Sequence, residues 1–251
     1  MKPSCCLYCG DYSTTLDKFT ANLICTSPPY NIGSKCPAST GKRSKQAGTY
    51  DPKSYRGIRE YPDSLPEDQY QESQVCFLSW CANHLAEGGI LAYNHKPRRK
   101  DGRLIHPLEW LSRVSQLTLM EEIIWDRGST HNHSTGLMWP HTERIYVLRR
   151  TIDKYHLNNT RDLDFRSDVW RIPRSPVNGH NAPFPDALAR AIVRAWSRPG
   201  QLVIDPYMGS GTTGLAAIAL GRSFAGSELI EAYYQLSCKR MEGIVNAENT
   251  I

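Results

Sequence analysis

Residues 202–214 read "LVIDPYMGSGTTG": an apolar run from Leu202 to Ile204 that ends on a carboxylate, Asp205, and turns through Pro206 and Tyr207 into Gly209, Gly211 and Gly214. Glycine tolerates positive φ and lets a ligand approach the backbone, and a helix opening directly behind such a turn presents unpaired N–H groups. The stretch therefore reads as a strand, a ligand-binding turn and a helix, the plan of a nucleotide-type site. Glu228 follows 19 residues after Gly209, at the end of the next short strand, Ser223 to Gly226. A carboxylate there can accept hydrogen bonds from both hydroxyls of a ribose.

Gly209-x-Gly211-x-x-Gly214 also matches the dinucleotide fingerprint, so a nicotinamide-dependent oxidoreductase is one reading and a plain tight turn is another. Only 37 residues follow Gly214, too few to complete a nucleotide-binding sheet. The neighbouring strands must come from upstream, and the order of the doubly wound plan must be permuted. No Gly-Lys-Ser/Thr follows the glycines, which excludes the phosphate loop of nucleoside triphosphatases.

Upstream, Asn22 to Thr26 reads as a buried strand that runs straight into Ser27-Pro28-Pro29-Tyr30. A rigid turn at a strand's carboxyl end sits at the ligand crevice of an open α/β sheet. Prolines donate no hydrogen bond, so this turn offers acceptors, the Ser27 oxygen and the Pro28 carbonyl, with Tyr30 as a flat face. The set suits an amino group on a planar heterocycle, and stacking on such a ring is worth about 1–3 kcal/mol per base.

The remaining elements alternate. Ser64-Leu-Pro-Glu67 predicts a capping box opening a helix to Leu85, stopped by Gly88-Gly89. Ile90–Asn94 is a strand, His106–Leu117 a short helix, and Met120–Trp125 and Arg144–Arg149 are strands. After a polar, irregular stretch from 150 to 180, a helix starts at Phe184-Pro185-Asp186 with apolar Leu188, Ala191, Ile192, Ala195 and Trp196 at helical spacing. Thr212–Leu220 and Ile230–Ile244 complete the helices. The expectation is an α/β fold in one domain, residues 1–251: a mostly parallel twisted sheet with helices on both faces.

Composition narrows the partners. No run approaches the roughly 18 apolar residues of a membrane helix, and the N-terminus lacks a basic segment followed by an apolar core, so a cytoplasmic protein without membrane contact is expected. Eight irregularly spaced cysteines, with Cys6-x-x-Cys9 lacking a second pair, read as reduced thiols, and His131, His133 and His141 as solvated loop residues; no metal is expected. The net charge of +5 is concentrated in two places. The 31–63 loop carries Lys42, Arg43, Lys45, Arg56 and Arg59, and a second cluster holds Lys96, Arg98, Arg99, Lys100 and Arg103. Such loops suit a polyanion.

Taken together, Gly10-Asp11, Ser27-Pro-Pro-Tyr30, His180-Asn-Ala-Pro-Phe184-Pro, Asp205-Pro-Tyr-Met-Gly-Ser-Gly-Thr-Thr213 and Gly226-Ser-Glu228, in that order, resemble the amino-methylating DNA methyltransferases of the permuted class. The resemblance implies a Rossmann-like methyltransferase fold with S-adenosylmethionine as cofactor. It places Asp205, Pro206, Tyr207, Gly209, Ser210 and Gly211 beside the methionine part, Thr212 and Thr213 at the amino acid end, Glu228 on the ribose, Asp11 on the adenine amine and Phe184 in the pocket wall. Ser27, Pro28, Pro29 and Tyr30 would hold a base flipped out of duplex DNA. A first-position Ser leans toward cytosine N4 in that family, and Asp or Asn toward adenine N6. No Pro-Cys dipeptide, the pairing that resembles ring-carbon methylation, occurs.

The resemblance also implies duplex DNA bound through Lys42, Arg43, Lys45, Arg56, Arg59, Arg98 and Arg99, with the 31–63 loop and a short 150–180 segment sharing target recognition. Relatives often pair as homodimers, and a cognate restriction endonuclease is a compatible partner. RNA or a protein amine as substrate, and a non-catalytic DNA-binding module, are the competing readings.

Overall fold

The computed structural model describes residues 3–32, 63–130, 135–154, 166–174 and 184–247. Among the described residues sixteen elements follow one another: β1 (Cys5–Cys9), α1 (Tyr12–Thr15), β2 (Ala21–Thr26), α2 (Glu67–His84), β3 (Leu85–His95), β4 (Arg98–Lys100), β5 (Arg103–Ile105), α3 (Leu108–Leu111), β6 (Leu117–Asp126), β7 (Thr142–Arg150), β8 (Val169–Arg171), α4 (Asp186–Trp196), β9 (Leu202–Asp205), α5 (Thr212–Ala219), β10 (Ser223–Glu228) and α6 (Glu231–Ala247). An eight-stranded sheet takes the order β1-β10-β9-β2-β3-β7-β6-β8. Only β7 runs against the rest, pairing antiparallel with β3 and β6, so the mostly parallel sheet expected from the sequence is the one found.

The side-chain period of two sorts the strands into two cores, one on each sheet face. Leu23, Cys25, Ala92, Val147 and Val203 meet α4 and α5 on one face. Ile24, Leu91, Tyr93, Tyr146 and Ile204 meet α2 and α3 on the other. Being covered on both sides, β2 and β9 read as continuous apolar runs, as parallel strands do. The α4 face closes over the sheet through Ile192 and Trp196, whose ring stacks on Trp170 at 5.8 Å.

Several local expectations need correcting. The 64–67 capping box does not form: α2 is preceded by Pro66 with no side-chain cap, and the Glu67 carboxylate instead receives Arg98 at 2.7 and 3.0 Å. Gly88-Gly89 does not stop the helix but lies within β3, where a Cβ on Gly89 would come within 2.9 Å of the Ala21 carbonyl. The His106–Leu117 helix shrinks to the single turn of α3. The 150–180 stretch contributes β8, paired parallel to β6. Strand β1, helix α1 and the β4–β5 hairpin had no legible signal, since all are short and polar or mixed.

Candidate active site

In the parallel part of the sheet the carboxyl ends of β1, β10, β9, β2 and β3 share one edge, and the sequence motifs converge there. Behind β9 the chain turns with Gly209 at φ 51° and Gly211 at φ 78°, conformations that L side chains rarely adopt. Gly211 opens α5 with no side-chain cap, and a Cβ on it would sit 3.0 Å from the Ser237 Cβ. The third glycine serves packing instead: a Cβ on Gly214 would collide with Met241 and come within 2.6 Å of the Phe224 ring. From α6, Arg240 holds the turn through the Ser210 hydroxyl at 2.8 Å and the Thr212 hydroxyl at 3.2 Å. Nothing in the sequence marked Arg240 apart from other helical arginines.

Two buried carboxylates flank this turn. Asp205 accepts from the Thr213 hydroxyl at 2.7 Å and the Tyr207 amide at 3.1 Å, and burial lifts its pKa to about 6. Glu228 accepts from the Gly209 amide and the Ile230 amide, both at 2.9 Å, and burial raises its pKa as well. The Thr213 hydroxyl is thus committed to Asp205, and the Tyr207 ring is committed to an aromatic cluster with Tyr12 (5.4 Å) and Phe77 (5.0 Å), leaving its backbone to the turn. Beside Glu228, the Gly10 amide donates to the Glu228 carbonyl at 2.9 Å, and exposed Asp11 caps α1 through the Ser13 amide at 2.8 Å. Phe184 packs edge-on against Trp125 at 6.2 Å. The donor set suits S-adenosylmethionine: a turn whose Gly209 and Gly211 carry no side chains, and two buried carboxylates that a cationic ligand would relieve.

The second motif lies at the end of β2. Ser27 Oγ is 2.9 Å from the Tyr30 hydroxyl and 3.1 Å from Asn94 Oδ1; the Tyr30 hydroxyl is 2.7 Å from Asn94 Oδ1 and 3.1 Å from Glu143 Oε2. Asn94 donates its Nδ2 to the Arg144 carbonyl at 2.9 Å, which aims Oδ1 at the two hydroxyls. Glu143 is held in turn by Arg127 at 2.7 Å, an ion pair whose side chains are 4% and 10% exposed. Lys96 sits with its ammonium 5.2 Å from the Tyr30 ring centre, and burial lowers its pKa while Glu143 opposes the shift.

A further chain fixes the prolines. His95 is fully buried, and burial depresses its pKa to about 3, so it is neutral. With the proton on Nε2, the Lys96 amide donates to Nδ1 at 2.8 Å, Nε2 donates to the Tyr70 hydroxyl at 2.7 Å, and that hydroxyl donates to the Pro29 carbonyl at 2.8 Å. The His95 ring also lies 4.5 Å from that of Tyr30. Asn94, His95, Glu143 and Arg127 escaped the sequence reading because they come from β3, β7 and the end of β6, remote in the chain. Polar residues closing otherwise apolar strands were the available signal.

Of the basic residues singled out, Lys42, Arg43, Lys45, Arg56 and Arg59 lie outside the described residues, as do His131, His133 and most of the 150–180 segment. Arg98 is a correction. It is 5% exposed, paired with Glu67, and stacked 4.5 Å from the Tyr70 ring, so it braces the hairpin and is not presented to a polyanion. Arg99, next to it, is exposed.

A family model described as DNA methylase matches residues 21–239. The chain belongs to the DNA methylase family. Among the methylase's relatives, M.ScaI, a type II methyltransferase of Streptomyces caespitosus, is 24% identical, over 94% of this chain and 81% of its own. The DNA adenine methyltransferase YhdJ of Escherichia coli K12 is 25% identical over 93% and 81%. The fold is that of the PvuII DNA methyltransferase (cytosine-N4-specific), with a TM-score of 0.71, 20% identity and coverage of 96% and 87%, and of the M1.HpyAVI–SAM complex, at 0.61, 17%, 94% and 99%. Both strands that carry the motifs, β2 and β9, fall within the family match. Among the described residues no helix is long and apolar enough to cross a membrane.

Proposed function

We propose that this DNA methylase transfers a methyl group from S-adenosylmethionine to the N4 amine of a cytosine flipped out of duplex DNA. The observation that carries the reading is the proton count around Ser27. Two hydroxyl protons, of Ser27 and Tyr30, face three inner acceptors, the Tyr30 oxygen, Asn94 Oδ1 and Glu143 Oε2. Both protons are drawn inward, so Ser27 Oγ turns only lone pairs toward the crevice. A group that accepts there suits an amine donor and does not suit a carbonyl. When bound, S-adenosylmethionine supplies an electrophilic methyl group. The work of the chain is to fix the amine: Ser27 Oγ and the Pro28 carbonyl accept its two hydrogens, turning the nitrogen lone pair out of conjugation with the ring.

Asp205, Glu228, Asp11 and Phe184, with the Gly209–Gly211 turn, would hold the cofactor at the adjoining strand ends. Ser at the first position supports cytosine over adenine. The type II name of M.ScaI supports a cognate restriction endonuclease as companion. Incubating the protein with mixed-sequence duplex DNA and methyl-labelled S-adenosylmethionine, then digesting to nucleosides, tests the reading by mass. N4-methylcytosine is expected. N6-methyladenine would keep the mechanism and reassign the base, and label in neither would refute the proposal.

A further inference from the structure

An amine that gains a methyl group becomes cationic and must lose a proton. At the end of β2 the group set to accept from it is Ser27 Oγ, a hydroxyl that cannot keep a second proton. Asn94 Oδ1 accepts from the Ser27 and Tyr30 hydroxyls at 3.1 and 2.7 Å, but an amide oxygen takes a hydrogen bond and not a proton. Among the described residues the one carboxylate within hydrogen-bond reach of either hydroxyl is that of Glu143, whose Oε2 lies 3.1 Å from the Tyr30 hydroxyl.

Glu143 reaches the turn because β7 lies beside β3 in the sheet. Its two oxygens are divided: Oε1 takes the Arg127 guanidinium at 2.7 Å, which leaves Oε2 to Tyr30. Arg127 also donates to the His141 carbonyl at 3.1 Å and the Pro140 carbonyl at 2.7 Å, so it stays bonded when the charge on Glu143 changes. Burial, and then the Glu143 charge, hold the Tyr30 hydroxyl well above the usual phenol range. Tyr30 therefore passes a proton on and does not rest as a phenolate.

We infer that Glu143 receives the proton that leaves the methylated amine, through Ser27 and Tyr30. This rests on the methyl-transfer reading above. As the nitrogen lone pair forms the N–C bond and the sulfur–methyl bond breaks with its electron pair left on sulfur, one amine proton passes to Ser27 Oγ. The Ser27 proton moves to the Tyr30 oxygen, 2.9 Å away, and the Tyr30 proton to Glu143 Oε2. The amine ends neutral, both hydroxyls regain a proton, and Glu143 ends as a carboxylic acid that later releases its proton to solvent. A cationic exocyclic amine is a far stronger acid than a carboxylic acid, so the transfer runs downhill even with Arg127 and Lys96 beside the acceptor. Glu143 touches no substrate atom; it is a positioning residue that gives the relay its direction.

The test is single-turnover methylation by the full chain of a synthetic duplex bearing the site mapped from methylated plasmid, in water and in deuterium oxide. Glu143→Gln keeps an oxygen for Arg127 and nearly the same volume, and should slow methyl transfer about a hundredfold. Its equilibrium affinities for the duplex and for S-adenosylmethionine should match those of the unaltered protein. The unaltered protein should slow in deuterium oxide and Glu143→Gln should not, while Glu143→Asp, which keeps a carboxylate, should recover a large part of the rate. Tyr30→Phe cuts the same relay, so the double variant Glu143→Gln/Tyr30→Phe should be no slower than the slower single one. If Glu143→Gln is unstable, Glu143→Gln/Arg127→Met leaves no buried cation unpaired and should give the same rate and isotope effect. A Glu143→Gln rate equal to that of the unaltered protein, losses that multiply in the double variant, or a loss confined to DNA affinity would overturn the inference. Absence of any methyl transfer by the unaltered protein would instead overturn the underlying reading, and this inference with it.

Discussion

Lowering the pH should weaken S-adenosylmethionine binding while the same carboxyl groups, taken by themselves, favour the unliganded fold; buried His95, with its pKa depressed to about 3, acts against them below about pH 6.5. Asp205 is buried at the glycine turn, with its pKa lifted from 3.8 to about 6 by desolvation. A group raised in the folded state adds stability that is complete below its unfolded pKa and lost as pH rises through the folded one. Between pH 3.8 and pH 6 the unliganded fold therefore gives up about 3 kcal/mol on account of Asp205, at 1.36 kcal/mol per pKa unit. A cation bound beside it reverses the balance, since it favours the ionised form. If the charged carboxylate is what binds, affinity is full above about pH 6 and falls roughly tenfold from pH 7 to pH 5. Glu228, raised in the same direction, steepens the fall where it titrates in that range. Calorimetric titration of S-adenosylmethionine at half-unit steps from pH 5 to pH 7.5 measures the binding side, and the difference in urea unfolding between the unliganded protein and its Asp205→Asn variant at the same values separates the Asp205 contribution from the opposing one of His95. Affinity that is flat or rises toward pH 5 would refute the placement of the cofactor's positive charge at Asp205.

Five substitutions probe the rest of the site. Ser27→Ala should lower turnover sharply with little change in cofactor affinity, and Glu228→Ala should do the reverse; single-turnover rates and titrations on both variants separate the roles, and matching losses of cofactor binding in the two would contradict them. Glu143→Ala strands the buried Arg127, a loss of about 3–5 kcal/mol by the usual effect of breaking a buried ion pair, or about 6–20 °C in Tm for a chain of this size. Adding Arg127→Met should recover part of that loss in thermal melts, and strictly additive losses would show that the pair is not coupled. Gly214→Val should destabilise by about 1–3 kcal/mol or more in urea, because its Cβ meets the Phe224 ring and Met241, whereas a Gly214 acting only as a flexible turn residue would tolerate it.

The order of strands and helices around the two motifs was legible because each rests on a short-range rule. Leu202–Asp205 followed by closely spaced glycines is a strand, a turn and a helix whatever lies elsewhere, and the apolar period of Leu188, Ile192 and Ala195 commits α4 to the sheet. Residues to either side of Gly209 are near one another in the chain, so Asp205, Thr213 and Glu228 could be read together. That strands beside β9 must come from upstream also followed, from the count of residues left after Gly214; that β2 is one of them is a finding of the structure.

Tertiary contact decided what these local rules do not reach. Arg98 has the composition of a DNA-binding cluster, yet Glu67, Tyr70 and Trp110 surround it, because bringing α2 and the β4–β5 hairpin together buries its guanidinium where only an ion pair and ring faces keep it stable. The role of Tyr30 likewise depends on Asn94 and Glu143, which lie 64 and 113 residues away. Their polar ends meet only because β3 and β7 are neighbours in the sheet, and a buried hydroxyl takes its hydrogen bonds from whatever the fold sets beside it.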